Sequence, residues 1–240
     1  MDEESEGKRK QSDPNEIVSR LCHIVNSSLP KRKKIALTLG ANSSPIDDIR
    51  SIVNRSSGNT GWSISEYLYR MGHDVICIAG NTSTTPGFKL PDVRHCASPG
   101  EMLNEAKKVS MEESPDVWIF SAAVLDYVPE VIAGKIPSGD TNISISLVPT
   151  KKHIPEILTN TEGCISIGFK LESNIGYPEL IDKARLQMDR YSLDSVVANR
   201  LQDLDDPDAP RCWLVDSNGS TTEIASLQSL CSKIEEYISS

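Results

Sequence analysis

Residues 54–62 read "NRSSGNTGW". They lie between an apolar run closed by glycine, "IALTLG" (residues 35–40), and a helical pattern, "WSISEYLYRMG" (residues 62–72). The run at 35–39 reads as a buried strand, and the polar stretch after Gly40 as a loop. A helix is predicted from about residue 60 to residue 71, with Gly72 placed to end it. A second apolar run, "VICIA" (residues 75–79), is closed by Gly80. A strand, a loop, a helix and a strand make a right-handed βαβ crossover, so the unit predicts a parallel sheet.

The alternation continues outward from this unit. Helices are predicted over 99–110 (extending to Glu113), 154–159, 178–191 and 227–238. Strands are predicted over 117–122, 164–169 and 195–198. The segment "NISISL" (residues 142–147) alternates with the period of a half-buried strand. Asp216-Ser217-Asn218-Gly219 separates strand-like runs at 212–215 and 221–224, which is a hairpin signal. Upstream, Ile17, Val18, Leu21, Ile24 and Val25 recur at helical spacing, so a helix over 15–27 is expected, capped by Asp13 or Asn15. Residues 1–14 are polar and acidic and predict a disordered tail. The fold class is α/β: one Rossmann-like, doubly wound domain over 15–240. Its mostly parallel sheet carries helices on both faces and a small antiparallel hairpin.

Composition narrows the function classes. The chain of 240 residues has a net charge of −9, which argues against a nucleic-acid partner because phosphate backbones need a basic face. The basic cluster Lys31 to Lys34 reads as a solvated approach to the first strand. Six cysteines are scattered without C-x-x-C spacing, so no zinc site is indicated and a reducing, cytoplasmic setting is expected. The N-terminus lacks the apolar core of a secretory signal, and no run is long enough for a membrane span.

In doubly wound folds ligands bind beyond the carboxyl ends of the strands, where the loop after Gly40 leaves the sheet. A dinucleotide fingerprint would run G-x-G-x-x-G straight into the helix, with a carboxylate after the second strand. Here a long loop separates Gly40 from Gly58, and the second strand ends Ile78-Ala79-Gly80-Asn81-Thr82. A Walker A loop is also absent. Two readings remain, an anion site and a flexible surface loop with a helix cap: Ser56, Ser57 and the N–H groups of Gly58 to Gly61 precede a helix whose positive end favours phosphate, with Arg50 and Arg55 adding charge.

Four ordered blocks then carry a resemblance. "IDDIRSIVNRSSGNTG" resembles the I-D-x-V-R-x-I-x-N-x-S-S-G motif of the phosphopantothenoylcysteine synthetases, also called phosphopantothenate–cysteine ligases. "SAAVLDYVPEVIAGKI" resembles the family's A-A-V-x-D-[YF] segment with its following Lys-Ile. "SIGFKLES" resembles its G-F-x-x-E strand end, and "DKARLQMDRYSLDSVVAN" its Arg-bearing helix and D-x-[VI]-V-A-N strand. The blocks span residues 35–199.

The resemblance implies a Rossmann-like homodimer that joins 4′-phosphopantothenate to L-cysteine in coenzyme A synthesis. The substrate carboxylate attacks the α-phosphate of ATP or CTP, with Mg²⁺ carried by the phosphates. Pyrophosphate leaves, and the cysteine amine attacks the acyl-nucleotide. It further implies that Lys135 meets the triphosphate and that Asn54 donates to the acyl oxygen during amine attack. Arg50 is expected to pair with the substrate phosphate or with Asp47. Asp47, Arg55, Ser56, Ser57, Gly58 and Gly61 are the expected substrate side. Gly40, Ala122, Ala123, Asp126, Phe169, Lys170, Lys183 and Arg185 are the expected nucleotide side. The forms Lys135-Ile136-Pro137-Ser138 and Phe169-Lys170-Leu171-Glu172 resemble eukaryotic members, which favours ATP over CTP. Lys151, Lys152 and His153 replace the bacterial T-P-D-I segment, and a solvated basic loop is an equal reading for them. Two rivals stand beside this: a non-catalytic relative of the same fold, and a nicotinamide-binding oxidoreductase. The second lacks its carboxylate; the first should have lost Lys135 or Asn54.

Overall fold

Every residue from Ile35 to Gly40 is buried, as expected of a central strand covered on both faces. The computed structural model describes residues 13–139, 142–159, 161 and 163–240. In chain order the elements are α1 (Pro14–Ser27), β1 (Lys34–Leu39), β2 (Ser43–Pro45), β3 (Ser51–Val53), α2 (Asn59–Arg70), β4 (Asp74–Ala79), β5 (Asp92–His95) and α3 (Pro99–Glu113). Then come β6 (Val117–Phe120), β7 (Tyr127–Pro129), β8 (Leu147–Pro149), α4 (His153–Leu158), β9 (Ile165–Glu172) and α5 (Tyr177–Tyr191). The chain closes with β10 (Ser195–Arg200), a 3₁₀ turn (Leu201–Asp203), β11 (Cys212–Asp216), β12 (Thr221–Ile224) and α6 (Leu227–Ile238).

The main sheet runs β12-β11-β10-β9-β6-β1-β4-β5. Strands β5, β4, β1, β6, β9 and β10 are parallel, and β11 and β12 extend one edge antiparallel. Among the parallel strands this is the Rossmann order, with the reversal between β1 and β6. Alternation along the strands sorts the core into two layers. Ile35, Leu37 and Leu39 join α2 and α6 on one face through Trp62, Leu68 and Ile234. Ala36, Trp118 and Phe120 meet α3, α4 and α5 on the other through Met102, Ile157 and Leu180.

Most predicted elements stand within two residues of their observed ends. The departures have physical causes. Residues 142–146 form no strand; the chain pairs only at Leu147–Pro149, with β7. Residues 142–149 are exposed, so the alternation of "NISISL" has no core to face. The loop after Gly40 contains a hairpin of β2 and β3, three residues each, too short to leave a periodic signal. The edge strand β5 was not expected, because "DVRH" is polar and needs only one neighbour. The predicted tail over 1–14 lies outside the described residues except for Asp13 and Pro14. Asp13 caps α1 by accepting from the Asn15 N–H, and Pro14 stands in its first turn.

Candidate active site

The carboxyl ends of β1, β6, β9 and β10 open into two adjoining clefts. The larger, about 1110 Å³, is lined by Ala122, Ala123, Asp126, Phe169 and Lys170, by His153 of α4, and by Lys183, Gln187 and Tyr191 of α5. The smaller, about 590 Å³, is lined by Gly40, by residues 55–61, and by Asn199, Asp205 and Arg211. Ala122, Ala123, Phe169 and Leu171 line both. The clefts therefore share a floor, Ala122 and Ala123 after β6 with Phe169 and Leu171 of β9, so one extended molecule can lie across it.

The smaller cleft ends on the start of α2. Gly58 is the N-cap at φ +82°, offers no side chain, and the first turn carries no acid. Helices α1, α3, α4 and α5 each place a Glu in that turn. Ser57 Oγ accepts from the Asn59 N–H at 3.2 Å. The first N–H groups of a helix otherwise lack partners, and with Arg55 and Arg211 they make a seat for an anion. Gly61 has a packing reason as well: a Cβ there would stand 2.4 Å from the Leu39 Cβ. Glycine thus lets α2 press on β1 and bring its N-terminus to the cleft.

The larger cleft gathers five cations, Lys151, Lys152, Lys170, Lys183 and Arg190, against three carboxylates, Asp126, Glu172 and Asp189. On a chain of net charge −9 this is a local reversal of sign, which draws a polyanion. Glu172 holds Lys170 at 2.8 Å and Lys183 at 3.2 Å, and these lysines keep its carboxyl below the usual range. Asp126 pairs with Lys152. Arg185 pairs with Asp182 and lines neither cleft.

Asp47 is buried, and its acceptors are all committed within the chain. Oδ1 accepts from the Ile49 and Arg50 N–H groups at 2.8 and 2.7 Å, and Oδ2 from the Ile136 N–H at 2.9 Å and from the Arg50 guanidinium. The Ile136 N–H, helped by those of Ile49 and Arg50, holds this carboxyl well below the usual range against the effect of burial. Arg50 also donates to the Ile136 carbonyl at 3.3 Å. Of the two roles expected of Arg50, the structure shows the pairing with Asp47. This pair fastens the chain beside Lys135 to the β2–β3 hairpin. Lys135 itself is exposed and lines neither cleft.

Asn54 Nδ2 donates to the Ala123 carbonyl at 3.2 Å and the Val124 carbonyl at 3.0 Å. Two carbonyl partners fix which end of the amide points there. Both amide contacts are spent on tying the Asn54 to Gly58 loop to the shared floor. The sequence pointed to Asn54 but not to this engagement, which depends on a residue sixty-nine positions away. It also missed Asn199, Asp205 and Arg211, because β10 and the following loop meet α2 only through the sheet order.

His153 is buried at the head of α4, and burial pushes its imidazole down to about 4 against the Pro99 carbonyl. His73 is fully buried: its Nδ1 accepts from the Lys33 N–H at 3.1 Å, and burial followed by Arg32 lowers its affinity for protons. Both histidines are neutral in the folded chain, whereas an unfolded histidine protonates near 6.5. The unfolded state therefore binds more protons below that pH. The contribution is complete above about 6.5 and is lost as pH falls towards 4, on the order of 3 kcal/mol for His153. Urea unfolding from pH 7.5 to 4.5 is expected to show this fall, and His153→Gln to flatten it. An unchanged slope in the variant would contradict the assignment.

A doubly wound sheet whose carboxyl ends open into two clefts with shared lining defines an α/β protein of Rossmann topology, with its candidate site at those strand ends. Residues 30–239 match the family described as DNA/pantothenate metabolism flavoprotein C-terminal domain, and the chain belongs to that family. It is 34% identical over 198 residues to the coenzyme A biosynthesis bifunctional protein CoaBC of Thermococcus kodakarensis, covering 82% of this chain and 48% of that protein. The CoaBC of Methanocaldococcus jannaschii is 29% identical over 197 residues, again 82% and 48%. The chain spans about half the length of these curated relatives. Among solved structures, the DNA/pantothenate metabolism flavoprotein of Streptococcus pneumoniae superposes with a TM-score of 0.74 at 26% identity, covering 85% of this chain and 99% of that one. A Cab2 mutant solved with phosphopantothenate-cysteine shares the fold, with a TM-score of 0.73 at 18% identity and coverage of 95% and 94%.

Proposed function

We propose that this chain is a phosphopantothenate–cysteine ligase. The observation that carries the reading is the shared floor: the lysine-rich cleft suits a nucleoside triphosphate, and the α2 cleft suits the phosphate of 4′-phosphopantothenate. Between them, over Ala122 and Ala123, the pantothenate carboxylate and the α-phosphorus can meet. Attack there forms a C(O)–O–P bond and expels pyrophosphate. The amine of L-cysteine then attacks the acyl carbon, loses a proton, and releases the nucleoside monophosphate. An acyl–nucleotide spanning both clefts explains why neither is closed to the other.

The protein's part is mostly charge handling. Lys151, Lys152, Lys170 and Lys183 offset the triphosphate, and nucleotide phosphates compete with Glu172 for the last two. Phe169, on the rim of both clefts, offers a face to the base. Mg²⁺ enters as part of the nucleotide substrate, through phosphate oxygens and water, with Asp126 one of three carboxylates lining that cleft. ATP is the preferred nucleotide in this reading. Asp47 and Arg50 act as positioning residues for the Lys135 loop. For Lys135 to reach the phosphates its loop must move or a second copy must supply it, and a homodimer with shared sites meets the second condition. Six free cysteines and the absence, among the described residues, of any helix long and apolar enough to cross a membrane fit a cytoplasmic enzyme.

Lys135→Met is expected to slow pyrophosphate release roughly tenfold to a hundredfold while nucleotide binding stays within a few-fold, because the charge acts on the departing group. Unchanged release would remove Lys135 from the chemistry. A second reading, the non-catalytic relative, is favoured by no observation, since both Lys135 and Asn54 are present.

A further inference from the structure

Helix α1 is inside out. Several of its polar residues face the protein: Ser19 is buried and accepts from the Arg70 Nε at 2.9 Å, Asn26 Nδ2 donates to the Arg70 carbonyl at 2.7 Å, and Asn15 Nδ2 donates to the Gly87 carbonyl at 2.8 Å. His23 stacks on Tyr69 with ring centroids 4.2 Å apart. These contacts fix the rotation of α1 on α2. The face left outside carries Ile17, Val18, Leu21, Ile24 and Val25, followed by Leu29, each between 36% and 67% exposed. Ile17, Leu21 and Ile24 keep the four-then-three spacing of a helix seam, with Val18 and Val25 flanking it, which is the pattern of a helix that packs on something.

Candidates for what covers it are few. Residues 1–12 carry Met1 as their only large apolar side chain, so that segment lacks the groups to pack there. A membrane surface calls for a basic rim, and the edge of this face is mixed instead: Glu16 pairs with the exposed Arg20 at 2.9 Å, and Asp13 stands at the helix start. A second copy fits. An antiparallel pair of α1 helices centred on Leu21 sets Leu21 against its own copy, Ile17 against Val25, and Val18 against Ile24. The same pairing brings Asp13 of one copy to the Lys31 end of the other, and sets the two helix dipoles head to tail. Lys31 is exposed and makes no ion pair among the described residues. The seam lies outside the family-matched residues 30–239 apart from Lys31 itself, and none of residues 13–29 lines either cleft.

We propose that the outward face of α1 is an interface between two copies of this chain, formed by antiparallel pairing of the two helices. It is separate from any pairing that shares active sites. The test is the mass of the full chain in solution, by light scattering and sedimentation across a wide concentration range. The wild type is expected to associate, and Leu21→Glu with Ile24→Glu to halve the mass without changing circular dichroism or pyrophosphate release. Asp13→Asn keeps the helix cap but removes the charge, and is expected to weaken association several-fold, most at low salt. A wild type at single-chain mass would overturn the proposal, and so would a double variant of unchanged mass. Sedimentation of the wild type with phosphatidylcholine vesicles, lost in the double variant, would assign the face to a membrane instead. An Asp13→Asn variant that associates as tightly as the wild type would overturn the antiparallel register.

Discussion

Asn54→Ala is expected to lower the rate of amide formation about 10²- to 10³-fold, the cost of removing one well-placed polar group from the reacting centre. The structure adds a reason of its own. Asn54 Nδ2 holds the carbonyls of Ala123 and Val124, and so ties the Asn54 to Gly58 loop to the floor both clefts share. Alanine removes the Asn54 donor from the Val124 carbonyl, leaves the Ala123 carbonyl with the Asn42 N–H, and frees the loop. If Asn54 also donates to the acyl oxygen, it must first give up these carbonyls, so the donation belongs to the reacting state. The two roles separate experimentally. Loss of positioning slows pyrophosphate release and cysteine capture together. Loss of an oxyanion donor slows capture alone, and acyl-nucleotide accumulates. Rates within a few-fold of wild type in both steps would refute either role.

Asp47→Ala is expected to cost about a hundredfold in turnover, although Asp47 lines neither cleft. Its carboxylate accepts from three backbone N–H groups and from Arg50, and joins the β2–β3 hairpin to the backbone beside Lys135. A displacement of about 1 Å at a charge that must meet a leaving group is enough for an effect of that size. Asp47→Asn preserves the shape but turns either its oxygen or its NH₂ on donors, so it should fall between wild type and alanine. The acid form of Asp47 is not reached in ordinary buffers, because its carboxyl is held far below the usual range; the loss should therefore be flat with pH. Turnover within a few-fold of wild type in Asp47→Ala would mean that the loop is placed by other contacts.

The sheet was legible in the sequence because its strands are short apolar runs closed by Gly40 and Gly80 or followed by helices of clear period. The final helix was read with the ends that it has, Leu227–Ile238. What failed were elements held by single neighbours: β5 at an edge, and the paired fragments β2–β3 and β7–β8 outside the main sheet. Such pieces are too short for periodicity, and "NISISL" shows the converse, a period without a core. At the candidate site, the sequence singled out residues 55–58 and Gly61, which line the smaller cleft, and Ala122 and Ala123, which line both clefts. Asp47 was read as a substrate-side group and as a partner of Arg50; the structure shows the second, and its bond from the Ile136 N–H was not legible because it depends on the fold of the 130–136 segment over the hairpin. Lys151, Lys152 and His153, left open by the sequence, line the larger cleft, and the neutral buried His153 sets the head of α4 there.

In the proposed reaction two substrates meet across the shared floor. Pyrophosphate release by the full chain tests this, measured with Mg²⁺ and 4′-phosphopantothenate, comparing ATP with CTP, with and without L-cysteine. Release is expected to depend on 4′-phosphopantothenate, to be faster with ATP, and to turn over repeatedly only when cysteine is present. Folded protein that binds nucleotide yet releases no pyrophosphate with either triphosphate would contradict it.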